Sequence, residues 1–230
     1  MSRRAVLYSL IGSVALLASS AARAQLAPVA VWNMDNDFGT TMSDSSGNAN
    51  DGVTTDVGTS GSGYNFNGST SLAVVPDSST LNPGTRDFSF SVQLQTDRVP
   101  ASGTDYDLMR KGLSGTPGGE FKMELVRSDG KAKAFCLIKD LNAKQASLTG
   151  KTDLSDNVLH TITCKRSGTT LSLKVDSLST QKKSKISVKS ISNTAPLLIG
   201  AKSAEGTGVD NDFYSGLMRS ATVSIAPPAQ

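Results

Sequence analysis

His160-Thr161-Ile162-Thr163-Cys164, a turn at Ser167-Gly168-Thr169, and Leu171-Ser172-Leu173-Lys174-Val175-Asp176 form the stretch whose reading decides the fold. Side chains along a strand alternate between two faces, so Leu171, Leu173 and Val175 share one face while Ser172, Lys174 and Asp176 share the other. Two such runs joined by a short glycine-containing turn make an antiparallel hairpin with one buried and one wetted face. Outward from this hairpin, the same alternation predicts strands at residues 29–34, 64–66, 71–75, 87–94, 106–110, 121–126, 133–138, 185–190, 196–199 and 213–225. Turn clusters such as Ser60-Gly61-Ser62-Gly63, Asn67-Gly68 and Asp129-Gly130 separate them. Helix signals are nearly absent, with glutamate confined to Glu120, Glu124 and Glu205. A dozen short strands at this spacing predict an all-β fold, a two-sheet antiparallel jelly-roll sandwich. No internal repeat or interdomain linker interrupts the pattern.

The chain opens with Met1-Ser2-Arg3-Arg4, continues through an apolar run over residues 5–18, and reaches small residues ending in Ala22-Arg23-Ala24. That is the pattern of a secretory signal peptide over residues 1–24 with an A-x-A cleavage site, which leaves 25–230 as one domain. The arginine pair also fits a twin-arginine signal, and both export routes stay open. The apolar run falls short of the roughly 18 residues that a membrane span requires. Removing residues 1–24 takes three of the 23 basic residues and leaves 20 against 20 acidic ones. A mature chain so balanced has no global field directing it to nucleic acid or to an anionic membrane. Cys136 and Cys164 sit in an exported chain, where a disulfide forms and persists. Closing that loop stabilises the fold by roughly 3.5 kcal/mol on the chain-entropy estimate.

The order of motifs carries a resemblance. Trp32-Asn33-Met34-Asp35, Asp44-Ser45-Ser46-Gly47-Asn48-Ala49-Asn50-Asp51-Gly52 and Tyr64-Asn65-Phe66-Asn67-Gly68 open the mature chain. Asp87-Phe88-Ser89-Phe90-Ser91-Val92, Leu108-Met109-Arg110-Lys111-Gly112, the 160–176 hairpin, Leu197-Leu198-Ile199-Gly200-Ala201 and Phe213-Tyr214-Ser215-Gly216-Leu217-Met218 follow in turn. In that order they resemble the laminin-G-like, concanavalin A-like jelly-roll family over essentially the whole mature chain. One departure stands out: the family's closing Gly-x-Ile-Asp is Gly216-Leu217-Met218-Arg219 here. Arg219 shares alternation parity with Ala221, Val223 and Ile225, which predicts an inward side chain unless a bulge intervenes. A buried guanidinium needs a carboxylate, so an ion pair of Arg219 with Asp35 or Asp44 is expected.

The resemblance implies calcium, held by oxygen ligands in an acidic loop, as the cofactor to look for. One acidic cluster is Asp35, Asn36, Asp37, Asp44, Ser46 and Asn48; the other joins Glu205, Asp210 and Asp212 to Asp105 and Asp107, two segments whose counterparts in calcium-dependent pentraxin relatives lie beside each other. The bland alternative for both is turn chemistry, because Asp and Asn side chains hydrogen-bond their own backbone. The resemblance equally implies a glycan site on the rim, with Tyr106, Phe213 and Tyr214 beside the second cluster as ligand-binding rings. Against this, the same rings can simply cap the core. The run Lys182-Lys183-Ser184-Lys185 reads as edge protection before it reads as a polyanion contact.

No complete catalytic motif is present. Glu120 and Glu124 lack the intervening acid of sandwich-fold glycosidases, and His160 is the only histidine. The leading expectation is a secreted binding module for carbohydrate or another extracellular ligand, supported by calcium and neither inserted in membrane nor bound to nucleic acid. Two alternatives are a polysaccharide-degrading enzyme of the same fold and a structural extracellular domain. Strand parity separates them: Glu120 and Glu124 lie opposite Phe121, Met123 and Leu125, and the enzyme reading requires their face to line a groove.

Overall fold

The computed structural model describes residues 25–35, 39–59, 61–178, 180–204 and 212–228. The first half of the chain forms β1 (Ala27–Asn33), β2 (Thr41–Met42), β3 (Gly52–Thr55), β4 (Gly58–Thr59), β5 (Tyr64–Asn67), β6 (Leu72–Val75), β7 (Phe88–Gln95) and β8 (Asp105–Lys111). The second half forms β9 (Gly119–Ser128), β10 (Lys131–Asp140), β11 (Gln145–Thr149), β12 (His160–Ser167), β13 (Thr170–Val175), β14 (Gln181–Ser184), β15 (Leu197–Ile199) and β16 (Ser215–Ile225). A 3-10 turn at Ser79–Leu81 is the one helical element among the described residues, and none of their helices is long and apolar enough to cross a membrane.

The strands make two antiparallel sheets. One runs β14-β13-β12-β7-β16-β5-β4, with β1 also paired to β16; the other runs β11-β10-β9-β8-β15-β6-β3-β2. The hairpin that anchors the sequence reading closes at the Ser167–Thr170 pair, and Gly168 takes the positive φ of 55° that its two-residue turn demands. The inward faces meet through Phe88, Phe90, Val92 and Leu94 of β7 against Phe121, Met123 and Leu125 of β9, all essentially unexposed. Ring centroids lie 5.0 Å apart for Phe90 and Phe121, so the alternation of both strands ends in one interlocked layer. Trp32 is fully buried and its Nε1 donates to the Asn50 carbonyl at 2.8 Å, which satisfies its only polar group. The Cys136–Cys164 disulfide joins β10 of one sheet to β12 of the other inside this core.

Three features depart from the sequence expectations. Residues 185–190 make no strand: Ile186 and Val188 are buried by alternation, but the pairing partner of β13 is the preceding lysine run, β14, at the sheet edge. The strands β2, β3, β4 and β11 are too short or too polar for periodicity to reveal. The predicted inward Arg219 is corrected, because the β16–β7 register shifts between Met218 and Ser220 and leaves Arg219 exposed. It lines a surface depression with Asp35, Gln93 and Ser220. Asp44 is committed elsewhere, as its carboxylate accepts from the backbone N–H groups of Val31, Ser46 and Asn50 at 2.9–3.0 Å.

Candidate functional site

The site grows from an irregularity in β8. Asp107 stands opposite Glu124, but the register with β9 then shifts before Met109 pairs with Met123. Leu108 and Met109 are both buried as a result, and Arg110 comes opposite Lys122, on the same outer side as Asp107 and Glu124. Asp212 arrives from the far end of the chain, where its carbonyl accepts the Asp107 backbone N–H at 2.8 Å. Carboxylate oxygens of Asp105, Asp107 and Asp212 thereby come within 4.8 Å of one another. Two members of the second acidic cluster, Glu205 and Asp210, lie outside the described residues, as do Asn36, Asp37 and the segment 1–24.

Electrostatically the triad is uncomfortable. Burial, reinforced by Glu124 and Asp212, pushes the Asp105 carboxyl up to about 6. Asp107 is wholly buried and held well above the usual carboxylate range by burial, with Arg110 opposing and Glu124 and Asp105 reinforcing the rise. Its Oδ1 lies 3.0 Å from Arg110 Nε, near in charge but misaligned for a hydrogen bond, and Oδ2 has no donor among the described residues. Asp105 Oδ1 is equally without a donor. Lys202 Nζ reaches Asp212 Oδ2 at 2.8 Å. Clustered, dry, donor-poor carboxylate oxygens form a set that fits a hard cation such as Ca²⁺. By contrast, Asp44 in the first cluster is held below its usual range because turn N–H groups outweigh its burial, so that cluster is turn chemistry as far as Asp44 is concerned.

The aromatic expectations divide. Tyr214 is wholly buried; its hydroxyl donates to the Gln95 carbonyl at 3.0 Å, so it seals the core and is withdrawn as a ligand-facing ring. Phe213 is 7 % exposed and packs on Leu72, Ala201 and Val74, which makes it chiefly an anchor for the chain arriving at Asp212. Tyr106 is half-buried, edge-on to Tyr214 at 6.2 Å. Ser69, Thr104, Asp105, Tyr106, Asp212 and the margin of Phe213 line a depression of about 380 Å³ at this rim.

The face bearing Glu120 and Glu124 is not open to solvent at these two residues. Both are 3 % exposed, and Glu124 is held by Lys122 and by Arg110, 3.5 Å away. Burial raises the Glu120 carboxyl. His160 sits between Asp176, 2.7 Å from its Nδ1, and Asp156, 3.0 Å from its Nε2, as a satisfied structural histidine would. Sequence reading passed over Arg110 and Lys202 as site residues. Arg110 lay in view inside the Leu108–Gly112 motif, whereas nothing local marks Lys202.

A family model described as the concanavalin A-like lectin/glucanases superfamily matches residues 66–225. No curated protein matches the sequence. Among solved structures, the binding domain of Paraclostridial Mosquitocidal Protein 1 is similar at a TM-score of 0.64 and 18 % identity, covering 89 % of this chain and 49 % of that one. The botulinum neurotoxin serotype D binding domain is similar at 0.59 and 13 %, covering 87 % and 48 %. Domain 4 of AbnA, a GH43 extracellular arabinanase from Geobacillus stearothermophilus, solved in complex with arabinotriose, is similar at 0.56 and 14 %, covering 89 % and 94 %. The chain thus spans about half of each toxin binding domain and nearly all of the arabinanase domain. At these identities the likeness is one of fold.

Proposed function

Since the chain belongs to the concanavalin A-like lectin/glucanase superfamily, we propose that it is an exported, non-catalytic binding module whose rim takes a carbohydrate ligand with calcium as support. The carrying observation is the meeting of Asp105, Asp107 and Asp212, with buried oxygens that lack donors. Three carboxylates supply part of the six to eight oxygens that Ca²⁺ takes, and water or other donors supply the remainder. A bound calcium would give the adjoining depression a positive centre for sugar hydroxyls, and Tyr106 would offer its ring beside it. An arabinotriose complex of a similarly folded domain and two toxin binding domains support a recognition role. The disulfide supports export into an oxidising compartment. The engagement of Glu124 and His160 by neighbouring charges supports the absence of catalysis.

Terbium, a luminescent substitute for calcium, tests the site directly. Emission sensitised by Tyr106 is expected on the intact protein, displaceable by calcium and abolished in Asp107→Asn, and a glycan array is expected to show binding that EDTA removes. Absence of emission together with a blank array contradicts the proposal.

A further inference from the structure

We infer that a second ligand site adjoins the carboxylate triad: a cavity beside Arg110 that takes a compact apolar carboxylate, more tightly when a divalent cation occupies the triad. The cavity holds about 190 Å³ and is lined by Arg110 and Lys202 together with Leu113, Pro196, Leu198 and Ala195. Two cations among apolar side chains suit an anionic head on an apolar body better than a ring of hydroxyls. The decisive group is Arg110. Its side chain is 3 % exposed, and its Nη1 has no hydrogen-bond partner among the described residues. A guanidinium presents five N–H donors in a planar fork that matches a carboxylate, and leaving one buried and unmade is costly. A carboxylate in the cavity satisfies it.

Charge explains why the cation matters. Among the described residues, five carboxylates, Asp105, Asp107, Glu120, Glu124 and Asp212, stand here against four cations, Arg110, Lys122, Lys139 and Lys202. With all of these groups ionised, one negative charge is in excess, which opposes an anion. A divalent cation turns the excess positive, and it also competes for Asp107 and Asp212, the carboxylates that hold Arg110 and Lys202. Both cations are then freer to face the cavity. The two occupants strengthen each other's binding by the same factor, as linkage requires. This coupling rests on the calcium reading, whereas the carboxylate site itself does not.

Chemical-shift titration of the protein with benzoate and with benzamide, which keeps the ring and lacks the charge, tests the inference in calcium and in EDTA. Benzoate is expected to move the methyl signals of Leu113 and Leu198, with affinity falling about ten-fold when EDTA replaces calcium, inside the usual range of coupling. Lys202→Gln, at a half-exposed position, is expected to weaken benzoate several-fold and leave benzamide unchanged. Benzamide moving the same methyls as strongly as benzoate, or benzoate moving neither, overturns the site. Calcium-independent benzoate binding, with terbium emission showing the triad loaded, overturns the coupling. Missing terbium emission overturns the calcium reading instead, and the benzoate arm then decides the carboxylate site alone.

Discussion

Asp105 is an acid that the fold treats badly. Its carboxyl is raised to about 6, so at neutral pH the folded protein ionises it against burial and two neighbouring carboxylates, while the unfolded chain ionises it freely. Asp105→Asn is therefore expected to stabilise the calcium-free protein by about 1–2 kcal/mol, a discounted conversion of the shift, and to weaken calcium binding at the same time. Urea unfolding with and without calcium reads both effects, and a destabilised calcium-free variant contradicts the electrostatic picture. His160 behaves oppositely. Burial lowers its pKa, but hydrogen bonds to the Asp176 and Asp156 carboxylates outweigh this and hold it above the usual histidine value. Its stabilisation is thus fully present below the unfolded value of about 6.5 and lost as pH rises through the higher folded value. Unfolding midpoints measured across that window are expected to fall in the native protein and to stay flatter in His160→Gln. At this scale the sequence, through the family resemblance, named Asp105, Asp107 and Asp212 among the five acids of the second cluster, and the structure brings these three together. The sequence could not disclose that Tyr214 turns inward or that Arg110 Nη1 is left without a hydrogen-bond partner among the described residues, because both depend on what packs above them.

Alternation set the strands, and the exceptions to alternation set the site. In β8 a one-residue slip between Asp107 and Met109 buries Leu108 and Met109 together and returns Arg110 to the charged side. A similar slip in β16 turns Arg219 outward, against the parity of Ala221 and Val223. Bulges of this kind leave little trace in a single sequence, which is why the hairpin at 160–176 was legible and these two turns of register were not. The lysines of β14 illustrate another limit: residues 185–190 alternate better, yet Lys182 and Lys183 pair with β13, because pairing follows the hairpin geometry and not the burial pattern alone. The disulfide between β10 and β12 links strands of opposite sheets across 28 residues of sequence. Cys136→Ala/Cys164→Ala is expected to lose about 3.5 kcal/mol, seen as a lower urea midpoint. An unchanged midpoint would mean that the cross-sheet link adds nothing to packing already complete.

As a whole, the molecule is a pair of facing antiparallel layers around one main aromatic and aliphatic core, with a smaller cluster of Leu72, Ala201 and Phe213 fastening the returning chain near the rim. That returning chain brings Asp212 beside Asp105 and Asp107, more than a hundred residues away in sequence, and so gathers the three carboxylates of the proposed cation site from elements that are structural when taken singly. The jelly-roll architecture was legible because period-two burial extends through most of the long strands; the juxtaposition at the rim was legible only through family resemblance, as no local pattern links residue 105 to residue 212. Calorimetric titration of Ca²⁺ into the protein and into Asp107→Asn tests the central claim most directly. One calcium per chain is expected on the unaltered protein, with the heat lost in the variant; no heat on the unaltered protein, or equal heat on both, would contradict it.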